Sequence, residues 1–313
     1  MKRLGSGKKR WRRRALVLPL WLSAVLSAAQ PPLRVTTLST ILTEVAREVG
    51  GDQVAVFGLI RPGVDPHSFE PSPGDVGKLT EADLVLASGL GLEPYLDRLA
   101  ANAGVRGRVL SVGDDLPVVL STLPGPGPRM EVLSKQGEND PHWWHSISDM
   151  LFATDLVRME YSRLRPAVAA DFARRAQAYE ERLFALQGWA AREISRLPPE
   201  RRHLVTSHDA FGYFARDYGF AVHSLSGASP DAEPNARDLA RLIDLMRREH
   251  IRAVFPESTT NPQSMQNLLE EVGARIGTPL YADGLGAEGS DGATYEAMYR
   301  HNVSAIVSAL AEP

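Results

Sequence analysis

The sequence predicts an α/β protein: two α/β lobes with mainly parallel sheets, joined by a long rigid helix. Three observations predict it. Short apolar runs alternate with helical patterns over residues 33–112, the same rhythm resumes at His203, and an unbroken helical pattern of about thirty residues lies between the two. The halves share this rhythm but no sequence repeat.

The chain opens differently. Residues 1–14 hold eight Lys or Arg and no acid, Ala15–Ala29 is an apolar run, and Gln30-Pro31-Pro32 follows. A basic region, a short apolar stretch and small residues at Ser27 and Ala29 are the parts of a secretory signal peptide, expected over residues 1–29. The run is shorter than the roughly 20 residues that span a bilayer; an uncleaved N-terminal anchor is the alternative. Arg13-Arg14 makes only a poor twin-arginine signal.

The N-terminal lobe is expected over 30–165. Leu33–Thr37 reads as a strand and Ile41–Val49 as a helix stopped by Gly50-Gly51. Val54–Ile60 is the next strand, followed by the loop Arg61–Gly74, the strand Ala82–Ala87, a helix near Leu92–Ala103 and the strand Arg108–Val112. The segment Gly113–Pro141, with its Pro-Gly-Pro-Gly-Pro run at 124–128, reads as a long surface loop, and a helix follows near Ser146–Arg163. The linking helix occupies 166–197. Pro166 suits its first turn, Pro198-Pro199 stops it, and its length would be about 45 Å. In the C-terminal lobe, 198–313, strands are expected at His203–Thr206, Ala221–Leu225, Ala253–Pro256 and Pro279–Ala282. Helices are expected there at Asp209–Tyr218, Asn235–His250, Gln263–Ile276 and Ala293–Ala311.

Composition narrows the function. With 43% hydrophobic and 23% charged residues, the 313-residue chain is globular. It has no cysteine, which excludes disulfides, thiolate zinc sites, cysteine nucleophiles and an anchor on a lipidated Cys. The net charge of −3 conceals an asymmetry: beyond residue 14 there are 27 bases against 38 acids. A nucleic-acid partner is excluded by that sign.

Eight histidines are present, and position singles out three. His67 lies in Val64-Asp-Pro-His-Ser-Phe-Glu70, after the second strand of the first lobe. His208 lies in Thr206-Ser-His-Asp-Ala-Phe-Gly-Tyr213, after the first strand of the second lobe. His142 lies in Asn139-Asp-Pro-His-Trp-Trp-His145. Asp283, in Tyr281-Ala-Asp-Gly-Leu-Gly286, follows the last strand of the second lobe. His67, His208 and Asp283 thus sit beyond strand carboxyl ends, where open α/β sheets place their ligands. The Asp-Pro-His triplet occurs twice. Asp-Pro opens many turns, but turn chemistry does not demand a histidine next, whereas an Asp beside an imidazole can hold its ring.

These motifs make the chain similar to the periplasmic zinc- and manganese-binding proteins of ABC transporters, the solute-binding family called cluster A-I or cluster 9. The resemblance covers nearly everything after the leader. It rests on Pro66-His-Ser-Phe-Glu-Pro71, Asp140-Pro-His-Trp143, Ser207-His-Asp-Ala-Phe-Gly-Tyr-Phe214, Ser229-Pro-Asp-Ala-Glu-Pro234, Val254-Phe-Pro-Glu257 and Tyr281-Ala-Asp-Gly-Leu285. It implies two lobes joined by a long helix, with metal in the cleft on His67, His142, His208 and Asp283. It further implies a non-enzymatic, periplasmic receptor, expected to be a monomer, that delivers its ion to a membrane permease driven by a cytoplasmic ATPase. Three imidazoles and a carboxylate suit tetrahedral zinc, with manganese as the alternative, and leave no open position for an activated water. The spacings of 75, 66 and 75 residues exclude a zinc finger. A secreted metallohydrolase would need such an open position and a base, and no His-Glu-x-x-His helix is present. A metal-stabilised adhesin is the third reading.

Departures bear on the metal. Gly113–Pro141 contains no histidine, so the metal-capturing loop of many zinc members is absent or reduced. Manganese members usually carry Glu where this chain has His208, which favours zinc. Trp143-Trp144-His145 replaces the usual aliphatic-Trp-Leu pattern, so His145 is an auxiliary ligand or a solvated residue. Glu257 either supports the site or lies on the surface. Phe69, Trp143, Trp144, Phe211 and Tyr213 are expected to wall the site. His203, His223, His250 and His301 are expected to be structural.

Overall fold

The computed structural model describes residues 30–96, 104–105, 107–116, 140–227, 236–258, 265 and 271–311. The expected signal peptide, the helix beyond residue 96, loop residues 117–139, the Ser229–Pro234 motif and much of the expected Gln263–Ile276 helix lie outside them. Residues Pro32–Pro313 form one compact unit.

The first half is a four-stranded parallel sheet. Strands β1 (Leu33–Thr37), β2 (Val54–Gly58), β3 (Leu84–Ala87) and β4 (Arg108–Ser111) are arranged β2-β1-β3-β4. Strand β3 is buried at every position, as a central parallel strand covered on both faces must be. Helix α1 (Thr40–Gly50) starts at Ser39, whose Oγ accepts the Leu42 amide at 3.1 Å, one of the otherwise orphaned donors of a first turn. Helix α2 (Pro73–Glu81) corrects the sequence reading, which had no element there. Ser72 and Asp75 form a capping box and Pro73 fills the first turn, a local start signal that stands in the sequence.

Helix α3 (Ile147–Leu164) begins after a 3₁₀ turn at Trp143–His145. The expected linking helix is a 3₁₀ turn, Pro166–Val168, followed by α4 (Ala169–Ile194), about 39 Å long at 1.5 Å per residue. Phe172, Ala176, Tyr179, Leu183, Leu186, Ala190 and Ile194 recur every three or four residues and give α4 one buried face. That face packs on α1 and α3 from the first half and on the C-terminal helix α7 (Tyr295–Ala311), so α4 backs both halves rather than bridging open space.

In the second half, β5 (His203–Thr206) pairs in parallel with β6 (Ala221–Ser224), and β7 (Ala253–Val254) with β8 (Arg275–Ile276). A bridge from Thr206 to Phe255 joins the two pairs. Helix α5 (Gly212–Tyr218) ends at Gly219, whose φ of 70° is the left-handed stop favoured by glycine, and α6 (Ala236–Arg248) precedes β7. Two expectations are corrected here. Arg275–Ile276, read as the end of a helix, is a strand: Gly273, at φ 65°, turns the chain into pairing with β7. The strand expected at Pro279–Ala282 is reduced to one bridge, Glu257 to Leu280. Among the described residues no helix is long and apolar enough to cross a membrane.

Candidate metal centre

The four residues singled out in the sequence meet in one cluster. One donor atom from each of His67, His142, His208 and Asp283 lies within 4.8 Å of the others. His67 comes from the loop after β2, His142 from the start of the 3₁₀ turn before α3, His208 from just beyond β5, and Asp283 from just beyond the Leu280 bridge. His142 Nε2 stands 3.1 Å from His67 Nε2 and 3.3 Å from His208 Nε2. Asp283 Oδ1 stands 3.5 Å from His67 Nε2, 3.5 Å from His142 Nε2 and 3.2 Å from His208 Nε2. Five of the six donor–donor edges are thus 3.1–3.5 Å, and a regular tetrahedron with edges of that size has its centre about 2.0 Å from each corner, the length of a zinc–nitrogen or zinc–carboxylate bond. The ring centroids of His142 lie 5.2 Å from His67 and 5.1 Å from His208, the spacing of imidazoles radiating from such a centre. The donor set therefore fits a borderline divalent ion.

Two of the rings are locked from behind. In the second Asp-Pro-His triplet, Asp140 Oδ1 accepts both the His142 amide at 2.9 Å and its Nδ1–H at 2.7 Å. Glu257 does the same for His208, accepting its amide at 3.0 Å and its Nδ1–H at 2.5 Å. Each carboxylate fixes the proton on Nδ1 and so turns the Nε2 lone pair inward. Glu257 is buried, which decides for the supporting role and against the surface. In the first triplet, Asp65 accepts the His67 amide at 2.8 Å and the Ser68 hydroxyl at 2.9 Å. His67 is also the most open of the four, 11% exposed at its side chain against 0% for His142 and His208. An open cleft lined by Arg61, Val64, Tyr281 and Gly284 reaches Asp283 from outside.

The charges couple the four. Burial opposes a charged His208, but Asp283 and Glu257 more than reverse this and hold its pKa well above the ordinary imidazole value. His142 is likewise raised: burial is outweighed by its bonds to Asp140 and Asp283. Burial would raise the Asp283 carboxyl, yet the facing histidines hold it well below the usual carboxylate range. Without metal the cluster attracts protons; with metal, the ion takes their place.

The remaining expectations sort by contact. His145 neither ligates nor meets solvent: it is buried, stacks on Phe211 with centroids 4.4 Å apart, and its Nε2–H donates to the Ala282 carbonyl at 2.9 Å. Burial, with His142 close by, pushes its pKa down to about 3, so it is neutral. Trp144 edges the His142 ring at 5.4 Å, while Phe69 packs on Tyr95 and Tyr213 under Arg216. His203 and His223 lie side by side across β5 and β6, their facing nitrogens 3.4 Å apart, and His301 Nε2–H donates to the Pro279 carbonyl. Sequence reasoning missed the hold of Trp144 and His145 on Ala282, because nothing local announces a contact 137 residues away.

A cleft between two parallel-sheet halves, closed over three imidazoles and a carboxylate, defines a metal-binding receptor. The chain belongs to the ZnuA family, zinc-uptake complex component A, periplasmic, whose family model matches residues 35–309. It is 36% identical over 288 residues to the manganese-binding lipoprotein MntA of Bacillus subtilis (strain 168), covering 90% of this chain and 91% of that one. It is also 36% identical over 285 residues to the zinc-binding protein TroA of Treponema pallidum (strain Nichols), covering 90% and 89%. The solved structure of the periplasmic zinc-binding protein TroA superposes with a TM-score of 0.81 at 33% identity, covering 90% of this chain and 100% of that one. The chain is thus a metal ABC transporter substrate-binding protein and not an enzyme.

Proposed function

We propose that this protein is an extracytoplasmic zinc receptor, holding one Zn²⁺ on His67, His142, His208 and Asp283 and passing it to the permease of an ABC importer powered by a cytoplasmic ATPase. The observation that carries the reading is the donor set itself: three ring nitrogens and one carboxylate oxygen, five of whose six separations are 3.1–3.5 Å, with two of the rings fixed with Nε2 inward. Nitrogen-rich tetrahedral sites suit zinc, whereas manganese favours oxygen-rich octahedral ones. Manganese is the second reading, favoured by the similarity to a relative named as manganese-binding. In this proposal residues 1–29 direct export to the periplasm and the mature chain works as a soluble monomer. Its halves, 30–165 and 198–313, are joined through 166–197.

Metal analysis of protein purified without chelator or tag, followed by zinc–manganese competition, tests the reading. One zinc per chain, displaced by manganese only at large excess, is expected. A preference for manganese would overturn the choice of ion, and full-affinity binding by His142→Ala would overturn the ligand set.

A further inference from the structure

The carbonyl of Ala282, the residue before Asp283, accepts two hydrogen bonds from the turn that follows His142. Trp144 Nε1–H and His145 Nε2–H each reach it at 2.9 Å. A carbonyl oxygen has two lone pairs, so the two donors set the tilt of this peptide as well as its distance. The donors are themselves held. Tyr295 and Tyr299, one turn apart on α7, donate their hydroxyls to the carbonyls of Trp144 at 2.7 Å and of His145 at 3.1 Å. The His145 ring is clamped on Phe211. A frame built from the residues beside one ligand therefore grips the backbone beside another.

We propose that His145 is a positioning residue for the metal site: its Nε2–H holds the Ala282 peptide so that Asp283 projects Oδ1 into the three-imidazole cluster. The proposal rests on the reading of those four residues as ligands. Oδ1 faces three ring nitrogens at 3.2–3.5 Å, so a tilt that moves it by a few tenths of an ångström lengthens a metal bond that tolerates about ±0.2 Å. An apolar side chain at 145 could fill the space, but it would leave the carbonyl with Trp144 alone and the peptide free to rock about that bond.

The test compares zinc release into excess chelator, zinc stoichiometry and metal-free melting temperature for wild type, His145→Leu, His145→Gln, His145→Asn and Phe172→Leu. His145→Leu should bind one zinc and release it about three- to tenfold faster, the loss expected for one buried hydrogen bond. His145→Gln, which carries an N–H near the Nε2 position, should release within about twofold of wild type. Phe172→Leu, in the core against Tyr161, should lower the metal-free melting temperature and leave release unchanged, separating packing from positioning. Wild-type release by His145→Leu, or equal acceleration in Phe172→Leu, would overturn the proposal. If His145→Leu does not fold, the Asn and Gln variants decide, because only Gln reaches Ala282; equal release rates in those two would overturn it. A wild-type chain that holds no zinc would sink the receptor reading itself, a failure visible before any variant is compared.

Discussion

Replacing Glu257 with Gln is the sharpest test of how the site is built, because it changes no ligand and little volume. Glu257 accepts two bonds from His208, at 3.0 Å from the amide and 2.5 Å from Nδ1–H, and both residues are buried. A glutamine has one acceptor oxygen and one NH₂ group. If its oxygen keeps the His208 amide, its NH₂ faces Nδ1 and favours the tautomer with the proton on Nε2, the atom that must carry the inward lone pair. Metal binding must then reverse that tautomer or break the new bond. Loss of such a supporting carboxylate costs about 10- to 100-fold in metal affinity, roughly 1.4–2.8 kcal/mol. The assay is competition against a chelator of known zinc affinity at pH 7.5, with the melting temperature of the metal-free protein as the control for folding. An affinity within twofold of wild type would refute the claim that Glu257 sets the His208 tautomer.

Other outcomes follow from the same geometry. His67→Ala should weaken zinc binding less than His142→Ala or His208→Ala, since His67 is the most exposed of the three rings and water can take its place; isothermal titration of the three variants checks the order. Asp283→Ala should also weaken binding less than His142→Ala or His208→Ala, because the open cleft beside Arg61, Val64 and Gly284 reaches Asp283 and lets water fill the place of the lost oxygen; the same titration checks it. Zinc affinity should already decline above pH 6.5 on acidification, because the raised His142 and His208 take up protons that the ion must displace; proton release measured by calorimetry in two buffers tests this. The metal-free fold changes the other way. Its raised histidines stabilise it below about pH 6.5, and this contribution is lost as pH rises through their folded values. The gap in melting temperature between zinc-loaded and chelated protein should therefore widen from pH 6 to pH 8. At neutral pH and a thousandfold excess over Kd, zinc should add about 4 kcal/mol of stability; equal melting temperatures with zinc and with chelator would contradict it.

What the sequence determined by itself was whatever short-range chemistry could write. Leu33–Thr37 and His203–Thr206 are strands with the bounds their apolar runs suggest, and the two Asp-Pro-His triplets mark ligand candidates because the Asp acts on its own neighbour two residues on. Even the missed helix α2 was legible in Ser72-Pro-Gly-Asp75, since a capping box is a local device. Tertiary structure decided the rest. Arg275–Ile276 is a strand only because β7 offers it a partner, and Pro279–Ala282 keeps a single bridge because its chain must leave the sheet to carry Asp283 into the cleft. Glu257 became the keeper of His208 across 49 residues, and His145 became a donor to Ala282 across 137. Side chains of these kinds have no preferred local partner. Where their lone pairs and protons point is set by which strands and helices are packed beside them, a property of the folded whole.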